Sequence, residues 1–532
     1  MKRVLFLAFI LSLLLPGCVR DIRQPGQPLE LVLLHTNDTH SYVAGRDKYG
    51  NACVASADCT GGMGRIATVV RDERRAEDNV LVVDAGDQFQ GTLFFTVNGW
   101  SILADLDNLV GYDAATLGNH EFDRGCEPLA GYIRALHYPI LAANLTPGPD
   151  CPLHALSIRP YTVRTIRNVK VGLIGLANPD IASLAAPCPQ TRFIGSADAL
   201  RKAEAELERQ GVDHVIVLSH LGLPVDRELA RTVDGVDVIV GGHTHSYLGP
   251  GSSEGPYPIV EHAPSGQPVL VVTAKFATEY LGKLRVAFDA AGVPARWNGA
   301  TIRLEPGITP DPAVEAKIAD YEKPLETFRS QILGRNDLVF ADGMEACRKG
   351  DCLSGMIVVD AMLDYGRDHG ATLALTNGGG MRAPLKRGTV TQGDLLAVLP
   401  FSNMLVIREY DGAQLLAALE HGVSGEKGEG PRILQAAGLR YRFDASRPIG
   451  QRILSTEQIG ADGKVSSLAK AGRYTVVLPV YLSQGGDGYS MLADGKVVSA
   501  PDPMDADIVG EYIKAQSPLS LPQSGRINAV TR

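Results

Sequence analysis

Apolar runs of strand length recur through the first half of the chain, and most of them end in polar residues. Six such runs are LELVLLHTND, NVLVVDAGD, AATLGNHE, VKVGLIGLAN, DHVIVLSHLG and VDVIVGGHTH. Helical patterns such as SADALRKAEAELERQG separate several of them. Near-continuous apolar strands that alternate with helices are typical of a sheet covered on both faces. The pattern therefore predicts an α/β sandwich over residues 28–305.

The second half begins with a charged stretch, DPAVEAKIADYEKPLETF, at residues 311–328. Its spacing predicts an exposed helix that Pro324 bends or ends, and we interpret residues 306–331 as a connector. The pattern then restarts with CLSGMIVVDAMLDYG, which is typical of a helix, and with ATLALTNGGG and RYTVVLPVYLSQGGDGY, which are strands entering glycine-rich turns. Residues 332–532 are therefore predicted to form a second, α+β domain.

The N-terminus has the layout of a secretory signal over residues 1–17, in which Lys2 and Arg3 precede an apolar run from Val4 to Leu15. That run is too short for a bilayer, which needs about 20 residues. It ends in LPGC, which resembles a bacterial lipoprotein signal with Cys18 as the lipidated N-terminus. This predicts an exported protein, in the periplasm or at the cell surface, held to the membrane by a lipid anchor only. The alternative is ordinary secretion with Cys18 incidental.

Composition narrows the classes of partner. The chain has 532 residues, which is too many for one ordinary core and favours two or three domains. Its 45% hydrophobic and 21% charged residues are those of a globular protein, and its net charge is −9. This balance argues against binding to DNA, to RNA or to an anionic membrane surface by charge. An anionic substrate would have to be attracted by local metals or arginines.

The chain contains eight cysteines, and four of them form two close pairs, Cys53 with Cys59 and Cys347 with Cys352. These spacings do not match the two-residue gaps of zinc ribbons. Because disulfides are permitted in exported proteins, we interpret both pairs as loop-closing disulfides. Cys151 with Cys188 is a candidate third pair, which would leave Cys126 free.

Potential metal ligands gather where the strands end, which is where open α/β sheets bind ligands. Two pairs, Asp38-x-His40 and His243-x-His245, have the i, i+2 spacing that an extended chain presents on one side. Glycine precedes two further ligands and allows close backbone approach. The candidate ligands are Asp38, His40, Asp87, Asn119, His220, His243 and His245.

Seven ligands of mixed nitrogen and oxygen character exceed one tetrahedral site and suit two divalent ions that share a carboxylate. A single Asp or His at a strand end is usually a cap or a surface residue. Five such segments in this order, however, favour a shared centre. The ligand types suit Zn²⁺, Mn²⁺ or Co²⁺, and we expect Zn²⁺.

The segments HTNDTHS, DAGDQFQGT, GNHEFD, SHLG and GGHTH resemble the metallophosphatase domain of the secreted 5′-nucleotidase / UDP-sugar hydrolase family. The resemblance extends over nearly the whole chain after the signal. It implies a four-layer α/β/β/α domain followed by a smaller α+β nucleotide-binding domain. It also implies two ions bridged by Asp87, the first held by Asp38, His40 and His245 and the second by Asn119, His220 and His243.

The resemblance gives roles to two more residues of GNHEFD. His120 would face the substrate phosphate and stabilise the developing charge or donate a proton, and Asp123 would orient it. The alternative for His120 is a helix-cap histidine. Relatives that cleave 2′,3′-cyclic nucleotides tend to have Asn in place of Asp123, so the aspartate favours the nucleotidase branch.

Candidate substrate residues lie in the second half. Aromatic rings can sandwich a base, an aspartate can accept hydrogen bonds from ribose, and arginines can pair with phosphate. These signals are weak alone, and the resemblance strengthens them. It implies a pocket in which Phe401 and Tyr481 stack the base, although the family usually has phenylalanine where this chain has Tyr481. The predicted substrate residues are Arg348, Asn377, Arg382, Phe401, Tyr481 and Asp487.

The sequence thus predicts an exported, metal-dependent 5′-nucleotidase that releases phosphate from nucleoside monophosphates, AMP first, with UDP-sugars and nucleoside di- or triphosphates as further expected substrates. Three alternatives stay open. These are a 2′,3′-cyclic-nucleotide phosphodiesterase of the same superfamily, a nucleotide-binding surface protein that is not catalytic, and a thiosulfate-processing enzyme. Oligomeric state and base preference are not predicted.

Overall fold

The computed structural model describes residues 29–47, 52–53, 59–156, 158–179, 191–401, 403–460, 463–499 and 503–530. The predicted signal, the lipidation site Cys18 and the candidate disulfide partner Cys188 lie outside these residues. No helix of the described residues is both long enough and apolar enough to cross a membrane.

The first domain combines parallel strands with helices, as the alternating pattern predicts. Its strands are β1 (Glu30–Thr36), β2 (Val80–Asp84), β3 (Ala114–Thr116), β4 (Ile140–Leu141), β5 (Leu145–Thr146), β6 (Tyr161–Ile166), β7 (Val169–Leu176), β8 (Arg192–Phe193), β9 (His214–Ser219), β10 (Val238–Gly241), β11 (Ile259–His262), β12 (Pro268–Val272), β13 (Tyr280–Phe288) and β14 (Pro294–Arg303). Its helices are α1 (Met63–Ala76), α2 (Leu93–Asn98), α3 (Ser101–Val110), α4 (Cys126–Ala135), α5 (Ser196–Arg209) and α6 (Leu223–Thr232).

Most of these strands form two six-stranded sheets, with the orders β14-β13-β1-β2-β3-β4 and β11-β12-β10-β9-β7-β6. One apolar core contains buried side chains of both sheets, including Leu33 from the first and Ile216 from the second, so the sheets pack face to face. Helices α1–α4 cover the outer face of the first sheet, and α5 and α6 cover that of the second. The expected four-layer α/β/β/α architecture is confirmed.

All six apolar runs are strands. β1, β2 and β3 are parallel neighbours in the first sheet, and β7, β9 and β10 are parallel neighbours in the second. Every residue of β9 is buried, because one face meets the other sheet and the opposite face meets helices. Burial on both faces explains why these runs are apolar throughout rather than alternating.

The connector contains helix α7 (Pro312–Arg329), which the Asp311 carboxylate caps by accepting the backbone N–H groups of its first turn. The helix continues through Pro324 instead of ending there. Its apolar stripe, with Val314 and Leu325, is buried in the core shared with α1–α4. The helix therefore belongs to the first domain in its packing, and the chain passes to the second domain after it.

The second domain is built on a five-stranded sheet of order β19-β16-β23-β18-β24, beside a four-stranded sheet of order β22-β21-β20-β25. Its strands are β15 (Ile332–Asn336), β16 (Leu373–Asn377), β17 (Gly388–Thr391), β18 (Leu405–Asp411), β19 (Leu434–Ala437), β20 (Leu439–Phe443), β21 (Ile453–Ile459), β22 (Val465–Ser466), β23 (Arg473–Pro479), β24 (Lys496–Ser499) and β25 (Ile527–Ala529). Its helices are α8 (Leu353–Arg367), α9 (Gln392–Val398), α10 (Gly412–Gly422), α11 (Val480–Ser483) and α12 (Asp505–Ala515).

The centre of this sheet positions two predicted loops. β16 and β23 are parallel neighbours, so their carboxyl ends lie at the same edge. The glycine turn Gly378–Gly380 follows β16, and α11 with the loop to Asp487 follows β23. Apolar cores cover both faces of the sheet and hold this edge in place.

Both close cysteine pairs are disulfides, Cys53 with Cys59 and Cys347 with Cys352. The suggested third pair is wrong. Among the described residues Cys151 is a free, buried cysteine, whereas Cys126 is in a disulfide. Cys126 and Cys151 both lie in the apolar core of the first domain, so neither sequence spacing nor burial distinguishes the bonded cysteine from the free one.

Candidate metal centre and substrate pocket

The loops that follow the parallel strands of the first domain bring the predicted ligands together at one end of the sandwich. Ligand atoms of Asp38, His40 and His245 lie within 4.8 Å of one another. The ligand atoms of Asp87, His220 and His243 also lie within 4.8 Å of one another and form a second group. The two groups are adjacent, because His40 and Asp87 belong to a third such group, which also contains His120.

The backbone at these ligands is unusual. Asp38, His40, Asp87, His243 and His245 have φ angles of 50°, 48°, 58°, 77° and 54°. This left-handed region is uncommon for residues other than glycine, and such strain is often stored at functional sites. The i, i+2 pairs therefore converge through tight turns, and the expectation that an extended chain aligns them is wrong.

The glycines before Asp87 and Asn119 permit the close approach that their spacing predicts. A Cβ atom at Gly118 would lie 2.0 Å from Asp87 Oδ1. One at Gly86, where φ is 88°, would lie 2.5 Å from the backbone nitrogen of Gly118. The two ligand loops thus cross in direct contact, which only glycine allows.

Hydrogen bonds orient the imidazoles toward the centre. His220 Nδ1 donates to the carbonyl of Ala85 at 2.6 Å, and its Nε2 lies 3.0 Å from Asp87 Oδ2. Nε2 of His40 faces Nε2 of His245 at 2.9 Å. A hydrogen bond from one ring nitrogen to a carbonyl is a usual way to present the other nitrogen to a metal. Asn119 Oδ1 is buried without a hydrogen-bond partner among the described residues.

Electrostatics also fit divalent cations. Burial lowers the pKa of His243 to about 4 and that of His40 well below its usual value, so both rings are neutral, as metal ligands must be. Burial also lowers the pKa of His220, but the carboxylates of Asp87 and Asp38 outweigh it and raise the value to about 10. These carboxylates attract positive charge, which a divalent cation would supply in place of a proton.

His120 differs from the other histidines of the cluster. Its Nδ1 lies 2.6 Å from Asp123 Oδ2. Burial lowers the pKa of His120, but Asp123 and Asp87 outweigh it and raise the value to about 10. The ring is therefore protonated near neutral pH, with Nδ1 engaged and Nε2 left for a substrate oxygen.

Glu121 is part of the site and is absent from the predicted set. Its buried carboxylate accepts four backbone N–H bonds, from Gln88 at 2.7 Å, Phe89 at 3.1 Å, Asp87 at 3.1 Å and Gly118 at 2.6 Å. It thus joins the loop of Asp87 to the loop of Asn119. The only sign of this role in the sequence is a carboxylate three residues after a glycine in a turn. Many surface loops have the same pattern, so it does not identify a site residue.

The predicted substrate residues lie together in the second domain. A cavity of about 330 Å³ is lined by Arg348, Asn377, Arg382, Phe401, Tyr481 and Asp487, and also by Gly379, Gly380, Asn403 and Pro431. Asn403 is absent from the predicted set. Its position two residues after Phe401, on the same loop, is the feature of the sequence that could have indicated it.

Polar groups in this cavity are ready for a ligand. Arg348 Nε is buried without a partner among the described residues. The guanidinium of Arg382 lies 5.6 Å from the ring centroid of Phe401, which is exposed. Asn377 Nδ2 donates to Asp487 Oδ2 at 2.7 Å. The cavity can therefore offer donors to an anion and an aromatic face to a flat ring.

Comparisons with known proteins agree with both halves of this picture. Residues 31–247 match the family model described as calcineurin-like phosphoesterase, and residues 334–494 match 5′-nucleotidase, C-terminal domain. The 5′-nucleotidase of Bos taurus is 35% identical over 523 residues, which cover 94% of this chain and 91% of the bovine one.

Two solved structures are similar along nearly the full length. A 5′-nucleotidase precursor from Thermus thermophilus is 35% identical with a TM-score of 0.63, covering 95% of this chain and 100% of its own. The NAD nucleotidase of Haemophilus influenzae is 25% identical with a TM-score of 0.71, with the same coverage.

The fold and the ligand cluster define a metal-dependent hydrolase with a calcineurin-like phosphoesterase domain. With its second domain and its similarity to the bovine enzyme, the chain belongs to the 5′-nucleotidase family.

Proposed function

We propose that this protein is an exported 5′-nucleotidase that hydrolyses nucleoside 5′-monophosphates, AMP first, to nucleoside and phosphate. UDP-sugars and nucleoside di- or triphosphates are further proposed substrates. The observation that carries the proposal is the pairing of two sites. One domain gathers ligands for two divalent ions, and the other has a cavity with exposed aromatic rings, arginines and a carboxylate.

We assign the metal ligands as the resemblance implies. Asp38, His40 and His245 would hold one ion, Asn119, His220 and His243 the other, and Asp87 both. Divalent ions in such a site supply an activated water and neutralise charge on the phosphoryl oxygens. Zn²⁺ is the proposed metal because the nitrogen and oxygen ligands suit it, with Mn²⁺ or Co²⁺ as alternatives.

The residues of the chain carry the remaining chemistry. Protonated His120, held by Asp123, offers Nε2–H to a phosphoryl oxygen and so stabilises negative charge as it develops. Phe401 and Tyr481 stack the base, and Asp487 accepts hydrogen bonds from ribose. Arg348, Asn377 and Arg382 line the same cavity, and the two arginines pair with phosphate.

Phosphate release tests this function. Purified protein lacking residues 1–17 is given AMP, UMP, UDP-glucose, ATP and 2′,3′-cyclic AMP, with added Zn²⁺ or Mn²⁺ or with EDTA. AMP hydrolysis that EDTA abolishes and metal restores is the expected result. The relative rates with the other nucleotides then define the substrate range of the enzyme. Cleavage of 2′,3′-cyclic AMP alone would assign the protein to the phosphodiesterase branch. Nucleotide binding without turnover would identify a receptor.

We also propose that Cys18 is lipidated and anchors the protein in the periplasm or at the cell surface. The two disulfides support export, since such bonds persist in oxidising compartments. Labelling with a palmitate analogue during expression of the full chain tests this. Incorporation that Cys18→Ser abolishes is expected, and secretion of unlabelled wild-type protein would contradict it.

A further inference from the structure

Tyr481 does more in the cavity than present a ring. The ring folds back over Gly486, where a Cβ atom would lie 2.6 Å from Tyr481 Cζ. This brings the hydroxyl to Asp487. The hydroxyl donates to Asp487 Oδ1 at 2.8 Å and accepts the backbone N–H of Asp487 at 3.0 Å. The aromatic face and the carboxylate are therefore joined by two reciprocal hydrogen bonds.

Asp487 needs such support. Its φ of 53° is in the left-handed region, which is uncommon for residues other than glycine, although aspartate enters it more readily than most. Two further contacts hold it, from Asn377 Nδ2 to Oδ2 at 2.7 Å and from His421 Nε2 to its carbonyl at 2.9 Å. Each carboxylate oxygen has two lone pairs, so after these bonds both oxygens can still accept one hydroxyl. Two acceptors side by side match the two adjacent hydroxyls of a ribose.

We propose that the Tyr481 hydroxyl is a positioning group that holds Asp487 for a ribose diol and so makes the pocket selective for substrates with an intact ribose. This inference rests on the proposed function. A phenylalanine at this position would keep the aromatic face and lose both bonds. Burial and the bond to Asp487 raise the pKa of Tyr481 to about 12, so the hydroxyl keeps its proton and remains a donor at neutral pH.

The test compares AMP with 2′,3′-dideoxy-AMP, which lacks both hydroxyls, in the wild-type protein and in Tyr481→Phe. For AMP we expect KM to rise about 5- to 20-fold in the variant, the loss expected when a hydrogen bond to a charged group is weakened. For the dideoxy substrate KM should change less than about 2-fold, as should kcat for both, since the hydroxyl does not act in the chemical step. Tyr161→Phe is the matched control, because it removes a tyrosine hydroxyl that contacts Gln210 in the other domain.

A double-mutant cycle separates positioning from packing. In an Asp487→Ala background, Tyr481→Phe should leave KM for AMP unchanged, because the hydroxyl then has no carboxylate to hold. Equal KM changes for AMP and the dideoxy substrate, or additive effects in the cycle, would overturn the inference while the nucleotidase function stands. Absence of AMP binding and turnover in the wild-type protein would instead remove the proposed function and this inference together.

Discussion

His120 and His243 lie in one cluster, but their neighbours give them opposite charge states. Burial and the charge of His220 lower the pKa of His243 to about 4, which leaves a neutral ring. Burial acts on His120 too, but Asp123 at 2.6 Å helps to raise its pKa to about 10. One ring can therefore bind a metal while the other keeps a proton for the substrate.

Replacement of His120 tests this division of roles. We expect His120→Ala to lower kcat for AMP by about 10²- to 10⁴-fold, the usual range for a lost acid or base, with the metal content unchanged. Steady-state kinetics with elemental analysis of the purified protein measures both. His137→Ala, which removes an exposed histidine of the same domain, is the control. Loss of metal together with activity would show that His120 is a ligand.

At the residue scale, polar side chains after apolar runs are visible in the sequence, so Asp38 and Asp87 could be predicted to meet. The left-handed backbone of these two residues could not be predicted, because neither is a glycine and no local pattern requires a positive φ there. Glu121 was missed for a different reason. Three of the four N–H groups that its carboxylate accepts lie in the loop after β2, and that loop meets the turn of Glu121 only in the folded chain.

At the scale of elements, Glu121 links the turns after β2 and β3. Each oxygen of the Glu121 carboxylate accepts two backbone N–H bonds. Glu121→Gln would replace one of these oxygens by an NH₂ group, which cannot accept them, so two backbone donors would lose their acceptor. We expect the loops to separate, the number of metal ions per chain to fall below that of the wild type, and kcat to fall with it. Metal titration by calorimetry measures the first effect independently of turnover.

The matched control for this variant is Glu127→Gln, which makes the same change at an exposed carboxylate in the first turn of α4. A Glu121→Gln protein with wild-type metal affinity would show that the loops hold their spacing without this carboxylate.

The disulfide before α8 supports one wall of the substrate cavity. The loop between Cys347 and Cys352 contains Arg348. The loop packs closely against the glycine turn, since a Cβ atom on Gly378 would lie only 2.1 Å from the carbonyl oxygen of Cys347. Replacing both cysteines by serine should therefore raise KM for AMP several-fold, roughly the loss of one charged contact, and leave metal binding intact. Replacing Cys53 and Cys59 by serine is the control, and equal KM values in the two variants would contradict the prediction.

Sequence periodicity predicted the parallel strands and the larger helices because they are buried on both faces or along one stripe. It missed the antiparallel pair β13 and β14, whose outer strand is largely exposed and carries no continuous apolar run. Periodicity also did not decide whether the connector helix bends or ends at Pro324. Helix α7 continues through this proline because Val314 and Leu325, on either side of it, pack against the first domain.

At the scale of the whole molecule, the two sites belong to different domains that are in contact with each other. Helix α7 contacts α9, and opposite charges on Arg124 and Asp507 attract each other across the boundary. A cavity of about 230 Å³ lies between the domains, lined by Phe94, Leu325 and Leu396 among others. Relative motion is the usual expectation for two domains of one chain unless the interface between them is large and hydrophobic.

If the base is bound in one domain and the phosphate is cleaved in the other, a nucleotide can stabilise only an arrangement in which both sites reach it. A ligand shifts such an equilibrium by its difference in affinity for the two arrangements. We therefore expect a non-hydrolysable AMP analogue to decrease the radius of gyration when metal is present, and to have little effect with EDTA, because one of its two anchors is then missing. Solution X-ray scattering measures this, with Asp487→Ala at the same analogue concentration as the control. An unchanged radius at saturating analogue and metal would mean that the described arrangement already allows catalysis.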